Sequence, residues 1–237
     1  MKKGIFTVLT NDKLTYSVYK MTLKGDTSAI ERAGQFVNIA LDGLYLRRPI
    51  SVCDVEGDVL TIIYKVVGKG TEYMSSFDGG EKLDILTGLG NGYFVEFSGQ
   101  NPLLIGGGVG VPPLYKLCKD LLKDGKTPTV ILGFNTKSEV FFKEEFEALG
   151  VKVLITTVDG SFGIKGFVTD AIKEVEKHTE VCSDCRRFYN FCKKADKLVL
   201  ADLKERNLLF KLHMRNVTAP LSAPGGFNET FPDAGYY

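Results

Sequence analysis

The sequence lacks an excess of either charge and has no long apolar run. Its 30 basic and 29 acidic residues give a formal net charge of +1, so the basic surplus that binds nucleic acid or anionic membranes is missing. No window reaches the roughly 20 apolar residues that cross a bilayer. The first four residues run straight into an alternating apolar stretch, without the apolar region or cleavage pattern of a secretion signal. We therefore expect a cytoplasmic protein that binds neither nucleic acid nor membrane.

Cysteine is also scarce, with five residues in 237, and a cytoplasmic location predicts that the thiols stay reduced. Cys53 and Cys118 lie in apolar stretches, which favours burial as small core residues. The other three cluster after His178: Cys182, Cys185 and Cys192. Three thiolates and an imidazole form a candidate metal site, although their spacing matches no standard one. Free thiols in a coil or helix are the alternative.

Up to about residue 97, short apolar runs alternate with Gly, Asp and Asn turns. We predict strands near 4–10, 14–23, 35–41, 49–55, 58–67 and 82–87, with a short helix or turn at about 70–77. Turns this frequent, between β-branched and aromatic runs, indicate an antiparallel barrel or sandwich.

After residues 98–102 the pattern changes to an alternation of buried strands and amphipathic helices. The predicted strands are 103–106, 129–134 and 151–157, and the predicted helices are 112–123, 138–149 and 166–177. This alternation is typical of a parallel sheet covered by helices. The sequence thus predicts an α+β protein with a barrel domain at 1–97 and an α/β domain at 98–177. A strand at 197–202 could extend the sheet, and 178–237 is a segment of uncertain structure.

The stretch "IGGGVGVPPL" lies where a predicted parallel strand gives way to a helix. Gly106, Gly107, Gly108 and Gly110 would let backbone N–H groups approach a phosphate beside a helix N-terminus. A tight turn without a ligand is the alternative. The run does not complete a G-x-G-x-x-G fingerprint, and no acidic residue follows the second strand, so an ordinary Rossmann dehydrogenase is disfavoured. A dinucleotide at the carboxyl ends of the strands stays compatible with the pattern.

The stretch "RRPIS" places two cations against a rigid proline at the start of an apolar strand. Arg48 precedes Pro49, which favours an extended backbone, and a guanidinium held there suits a bidentate phosphate contact. A surface salt bridge is the alternative. Gly70 and Thr71 could bring the backbone close to the same anion, whereas we expect Arg47 to be solvated.

The stretches "RRPIS", "IIYKVVGKGT" and "GGGVGVPPLY", in this order and spacing, resemble the ferredoxin reductase family of flavoproteins. Within that family, "VPPLY" and "DGSFGIKGFVTDAI" at 159–172 are most similar to the electron-transfer subunits of two-subunit, NAD-dependent dihydroorotate dehydrogenases, which serve pyrimidine biosynthesis. The resemblance covers about residues 1–176. It implies a barrel that binds FAD and an α/β domain that binds NAD.

The resemblance also implies roles for individual residues. The expected FAD contacts are Arg48, Pro49, Ile50, Ser51, Ile63, Tyr64, Lys65, Gly70 and Thr71. Among them Arg48 and Gly70-Thr71 would meet the diphosphate, and the Ser51 hydroxyl would lie near the flavin ring. The alternative for Tyr64 is that it is an ordinary aromatic residue of a strand and does not contact the flavin. The expected floor of the NAD site is Gly106, Gly107, Gly108 and Gly110. No catalytic side chain is assigned, because the flavin carries the redox chemistry.

The resemblance ends near residue 178. The family holds a 2Fe–2S cluster through C-x4-C-x2-C and a distant fourth cysteine. Here the spacing is Cys182-x2-Cys185-x6-Cys192, no cysteine follows, and the family's "CGP" motif is missing after 197–202. A divergent C-terminal segment and a shifted reading frame are both compatible with this.

The leading hypothesis is an electron-transfer flavoprotein subunit in a heterotetramer. It would take electrons from an FMN-containing dihydroorotate dehydrogenase catalytic subunit, through an iron–sulfur centre, to FAD and then to NAD+. The first alternative is a reductase between NAD(P)H and a ferredoxin-like protein. The second is a non-catalytic nucleotide-binding assembly subunit, which would lack flavin.

Overall fold

Six antiparallel strands form a closed barrel in the first part of the chain. The structure is a computed structural model, and it describes residues 1–179. The barrel strands are β1 (Lys2–Lys13), β2 (Val18–Lys24), β3 (Phe36–Leu41), β4 (Leu44–Glu56), β5 (Val59–Lys65) and β6 (Lys82–Leu89). Their order around the barrel is β1-β2-β5-β4-β3-β6, and β6 pairs back with β1. A short helix, α1 (Lys69–Ser75), connects β5 to β6.

The barrel interior follows from the two-residue period of its strands. On β3, Val37, Ile39 and Leu41 are buried, and the residues between them are only partly buried. Alternate side chains of a strand face opposite sides, so these three fill the barrel. They join a cluster that includes Phe6 and Tyr64. The predicted antiparallel barrel is confirmed.

The second part of the described chain is a parallel sheet with helices. It comprises β7 (Leu103–Gly107), α2 (Pro112–Lys123), β8 (Thr129–Phe134), α3 (Lys143–Ala148), β9 (Lys152–Thr157), β10 (Ile164–Lys165) and α4 (Val168–Thr179). The strand order is β10-β9-β8-β7, with parallel pairing throughout. The predicted α/β part is confirmed, although the two-residue strand β10 was missed. The predicted strand at 197–202 lies outside the described residues.

The predicted helix at 138–149 was too long. The chain forms a 3-10 turn at Lys137–Glu139, and α3 begins only at Lys143. Phe142 breaks the helix because it adopts a positive φ of 65°. Both Phe141 and Phe142 are buried, and the Phe142 ring meets Tyr115 edge-on. The positive φ of Phe142 ends the helical path before α3 and lets both rings pack in the same apolar cluster.

The barrel and the parallel sheet share a core. Helix α2 packs against β4, and one apolar cluster contains Cys53 and Ile63 of the barrel with Leu114 and Cys118 of α2. Both cysteines are buried, as predicted, and burial raises the pKa of each thiol. This continuity places the described residues in one compact unit, so the domain boundary near residue 98 stays a prediction. Within residues 1–179 no helix is long and apolar enough to cross a membrane.

A partly buried ion cluster fastens α2 to the barrel. The ammonium of Lys119 lies 2.6 Å from a carboxylate oxygen of Asp54 and 2.8 Å from one of Glu56, both on β4. The Lys119 and Asp54 side chains are only 20% and 11% exposed. Burial alone would lower the pKa of Lys119, but the hydrogen bonds to the two carboxylates outweigh it and raise the pKa. Lys119 therefore stays charged and fixes the helix to the strand.

Lys119→Met is expected to lower the free energy of unfolding by about 2 kcal/mol, because it leaves the Asp54 carboxylate partly buried without its partner. Urea denaturation followed by circular dichroism measures the change. The matched control is Lys123→Met on the exposed side of the same helix, since Lys123 forms no ion pair with any described residue. Equal stability of the two variants would contradict the role of Lys119.

Candidate functional site

The glycine-rich segment at the end of β7 and in the following turn contains one glycine that packs against the helix and others that face open space. A Cβ on Gly106 would lie 2.7 Å from Leu114 Cδ1 and 3.2 Å from Val111 Cα. Gly106 is therefore needed for the close packing of α2 against the strand. By contrast, a Cβ on Gly107 would meet nothing nearer than 3.7 Å, and Gly108 and Gly110 have no atom within 4 Å of that position.

A pocket of about 430 Å³ opens at the carboxyl ends of the parallel strands. Its sheet side includes Gly107, Gly108, Val109, Gly133, Phe134, Asn135, Glu139, Phe141, Thr156, Val158, Gly166, Phe167 and Val168, and its barrel side includes Thr15, Ser17, Val18 and Lys65. Strand β5, which carries Lys65, also approaches the Gly108–Gly110 turn. The pocket thus brings Lys65, an expected flavin contact, together with Gly107 and Gly108, expected NAD contacts. Gly106 and Gly110 do not line it.

The turn between β1 and β2 supplies barrel residues that sequence reasoning missed. We predicted a strand over 14–23, but β2 begins only at Val18. The Thr15 hydroxyl accepts hydrogen bonds from the backbone N–H groups of Ser17 and Val18, and this turns the chain. Thr15 and Ser17 consequently reach the pocket. A threonine just before the apolar run was the available signal, because Thr oxygens close such turns.

Glu139 links the sheet side of the pocket to the barrel. It accepts a hydrogen bond of 3.1 Å from the Tyr16 hydroxyl and one of 2.9 Å from the Asn135 side chain. Tyr16 and Glu139 are 123 residues apart in sequence, so no local pattern could have paired them. The lining of the pocket thus includes the acidic group of Glu139 as well as the cation of Lys65.

Arg48 lies on β4 and packs directly over the start of α1. A Cβ on Gly70 would be 2.0 Å from Arg48 Nε and 2.5 Å from its Cζ, so only glycine leaves room for the guanidinium. Arg48 donates a hydrogen bond to the Leu46 carbonyl, and no carboxylate of the described residues lies within salt-bridge distance of it. The Thr71 hydroxyl accepts the Val67 N–H at 2.9 Å and fixes the loop before the helix. Arg48 is thus a positioned cation without an anionic partner in this part of the chain.

The expectation that Arg47 is solvated was wrong. Its guanidinium donates to a carboxylate oxygen of Asp84 at 2.9 Å and to the backbone carbonyl of Asn38 at 3.1 Å. Asn38 pairs in register with Pro49, which has no N–H to donate, so Arg47 serves this carbonyl instead. Burial tends to raise the pKa of Asp84, but the bonds from Lys3 and Arg47 lower it overall. Arg47 therefore stabilises the barrel around the proline.

The β5 residues alternate between the two sides of the barrel wall. Tyr64 is 1% exposed inside the barrel, and its hydroxyl donates to Asn11 Oδ1 at 2.9 Å. Burial raises the pKa of Tyr64. Ile63 and Lys65 face outward, where Ile63 joins the core shared with α2 and Lys65 reaches the pocket. A cofactor contact from Tyr64 would therefore come from its backbone.

The remaining predicted FAD contacts lie on β4. Pro49 is exposed, and Ile50 and Ser51 are half-buried. Ser51 pairs with Phe36 of β3.

The predicted thiol ligands Cys182, Cys185 and Cys192 lie outside the described residues, and among residues 1–179 no three His, Cys, Asp or Glu side chains form a metal-binding group.

Comparison with known proteins shows close relatives. The chain is 46% identical over 193 residues to the dihydroorotate dehydrogenase B (NAD(+)) electron transfer subunit of Bacillus pumilus, a match that spans 78% of this chain and 74% of the relative. The subunit of the same name from Fusobacterium nucleatum is 43% identical over 192 residues, with 78% and 74% covered. No family model matches the chain.

Solved structures share the fold. A chain from the NADH-dependent reduced ferredoxin-NADP oxidoreductase is 34% identical, with a TM-score of 0.66, over 72% of this chain and 62% of that one. The ferredoxin NADP+ reductase of Neisseria gonorrhoeae, with bound FAD and NADP, has a TM-score of 0.66 at 17% identity, over 76% and 80% of the two chains. At 17% identity, the similarity to the Neisseria gonorrhoeae reductase shows a shared fold alone.

Proposed function

Because this chain belongs to the family of dihydroorotate dehydrogenase B (NAD+) electron-transfer subunits, we propose that it passes electrons from a dihydroorotate-oxidising partner subunit, through FAD, to NAD+. The partner would be the FMN-containing catalytic subunit. One observation carries the proposal: a single pocket is lined by Lys65 from the predicted flavin motif and by Gly107 and Gly108 from the predicted NAD turn. Hydride exchange between two bound cofactors requires such a common cleft.

The residues on the barrel fit FAD. Arg48 presents a cation that no described carboxylate neutralises, and Gly70 leaves the space that this cation occupies. A diphosphate is the anion that such a fixed guanidinium binds well. Arg48, Gly70 and Thr71 would hold the diphosphate, and Ser51 and Lys65 would lie towards the flavin ring.

The residues of the sheet fit the pyridine nucleotide. Gly107 and Gly108 have no side chain at the carboxyl end of β7, so a nucleotide can approach their backbone closely. Helix α2 begins just beyond with Pro112 at its first position. Parallel α/β sheets bind their ligands at this carboxyl edge.

FAD, when bound, supplies the exchange of electrons and hydride with NAD+. The role of the protein would be to orient the two cofactors and to exclude water from the space between them. Val18, Phe134 and Phe141 are buried apolar residues at the pocket wall, and they would present an apolar surface to the bound cofactors. Lys65 places a positive charge there, and Glu139 a negative one.

The spacing of Cys182, Cys185 and Cys192 departs from the 2Fe–2S motif that the resemblance implies, and these cysteines lie outside the described residues.

A visible absorption spectrum of the purified chain after reconstitution with FAD tests the proposal. We expect a flavin spectrum that survives gel filtration and that NADH bleaches under anaerobic conditions. Turnover of dihydroorotate with NAD+ should appear only when the catalytic subunit is added. A chain that remains colourless would contradict the proposal and favour a non-catalytic assembly role. Efficient NAD(P)H-dependent reduction of a ferredoxin-like protein would favour the reductase alternative, which the likeness to the ferredoxin-NADP oxidoreductase chain supports.

A further inference from the structure

The hydrogen bond between Tyr16 and Glu139 connects the two sides of the pocket. Thr15 and Ser17, the neighbours of Tyr16, line the barrel side, and Glu139 lines the sheet side. Tyr16 itself is not a lining residue, and its side chain is exposed. Its hydroxyl donates to Glu139 Oε1 at 3.1 Å. The bond therefore lies beside the pocket and spans the separation between its two walls.

The two carboxylate oxygens of Glu139 serve different parts of the molecule. Oε2 accepts the backbone N–H of Asn135 at 3.3 Å and the side-chain amide of the same residue at 2.9 Å. Oε1 accepts the Tyr16 hydroxyl. Because the loop after β8 holds Oε2, the direction of Oε1 towards the barrel is fixed. One carboxylate thus joins its own loop to the turn between β1 and β2.

Both segments that this bond joins are held by bonds of their own. In the loop after β8, the Lys137 N–H donates to Ser161 Oγ, in the loop after β9, at 2.8 Å. In the turn between β1 and β2, the Leu14 N–H donates to the Val18 carbonyl at 2.8 Å. Because each segment is fixed to its own part of the fold, the bond between them constrains the distance between the walls.

We propose that the bond between Tyr16 and Glu139 positions the flavin against the nicotinamide by fixing the width of the pocket. This rests on the function proposed above, in which the barrel wall holds FAD and the sheet wall holds NAD+. Hydride transfer requires reacting atoms about 3–3.5 Å apart, and a misplacement of about 1 Å can slow it on the order of a hundredfold. Tyr16 is accordingly a positioning residue that acts through the walls.

The ion cluster of Lys119 has a different location. It fastens α2 to β4, and none of its three residues lines the pocket. That cluster stabilises the packing of the helix on the barrel, whereas the bond from Tyr16 acts where the two cofactors would meet. The two contacts should therefore give different results when they are removed.

Tyr16→Phe tests the proposal because it keeps the ring and removes only the hydroxyl. In the FAD-loaded chain at saturating NADH, transfer of a hydride from NADH to FAD should slow about tenfold, and the reverse transfer passes through the same geometry. The long-wavelength absorbance of stacked flavin and nicotinamide should weaken. The dissociation constant of ADP-ribose, which has no nicotinamide, and the melting temperature should not change. Tyr45→Phe, at a fully exposed tyrosine outside the pocket lining, is the matched control.

Anaerobic stopped-flow spectroscopy, calorimetric titration with ADP-ribose and thermal melts measure these quantities. In a Glu139→Ala background, Tyr16→Phe should have little further effect, because the hydroxyl has already lost its acceptor. An unchanged rate of flavin reduction in Tyr16→Phe would overturn the proposal, as would additive losses from the two substitutions. An equal loss of ADP-ribose affinity would also overturn it, since it would show a binding role. A parent chain that binds FAD but is not reduced by NADH would instead count against the proposed function itself.

Discussion

Gly70→Ala is expected to release FAD about as effectively as Arg48→Ala, while the barrel stays folded. The added methyl carbon would occupy a point 2.0 Å from Arg48 Nε, so the guanidinium must move away. The group that moves is the end of a flexible side chain, and alanine is a better helix former than glycine, so stability should not fall. Displacing the guanidinium should weaken FAD binding by about 1.5–3 kcal/mol, the contribution of a charge-assisted hydrogen bond.

The measurement is the dissociation constant of FAD, from the flavin fluorescence released on dilution. Gly70→Ala and Arg48→Ala should each raise it roughly ten- to hundredfold. The double variant should be little worse than either single one, because both changes remove the same interaction. Gly99→Ala is the matched control, since a Cβ there meets nothing within 4 Å.

Full additivity of the two substitutions would show that Gly70 and Arg48 act separately, and unchanged FAD retention in Arg48→Ala would remove the diphosphate role altogether. A loss of melting temperature in Gly70→Ala equal to its loss of FAD would indicate a folding defect in place of a displaced cation. The expected pattern is loss of FAD without loss of fold.

The parts of the fold that depend on local patterns were predictable from the sequence. The alternation on β3 and the proline at the first position of α2 are signals contained within a few residues. The glycine run likewise predicted a strand-to-helix turn after β7, where Gly108 adopts a positive φ of 51°. Local signals of this kind determine the type of each element and its approximate position.

Features that depend on distant residues were not predictable. Arg47 is held by Asp84, 37 residues away, and Tyr16 by Glu139 across the pocket. The Phe142 ring packs edge-on against Tyr115 of α2, a contact that the sequence around residue 142 does not contain. The distinction between Gly106, which packs against α2, and Gly107, which faces the pocket, also needs coordinates. In each case the deciding neighbour comes from another element.

Gly107 faces the pocket whereas Gly106 packs against α2, so a substitution at Gly107 tests the NAD site most directly. Gly107→Val is expected to weaken NAD+ binding on the order of a hundredfold or more, about 2.7 kcal/mol, without releasing FAD. Gly107 has φ −125° and ψ 135°, an extended backbone that valine favours. Its Cβ would meet only the Gly133 carbonyl oxygen, at an ordinary 3.7 Å. The folded chain therefore accepts the side chain, and the space that valine fills is the space proposed for the nucleotide.

Titration calorimetry of the FAD-loaded variant with NAD+, together with its FAD content and melting temperature, measures these effects separately. Gly99→Val provides the same chemical change at an exposed site away from the pocket. Gly106→Val should behave differently, with a lower melting temperature, because its Cβ would collide with Leu114 and crowd the backbone of Val111. If Gly107→Val binds NAD+ as tightly as the parent chain, the nucleotide does not cross the end of β7, and the pocket must serve another ligand.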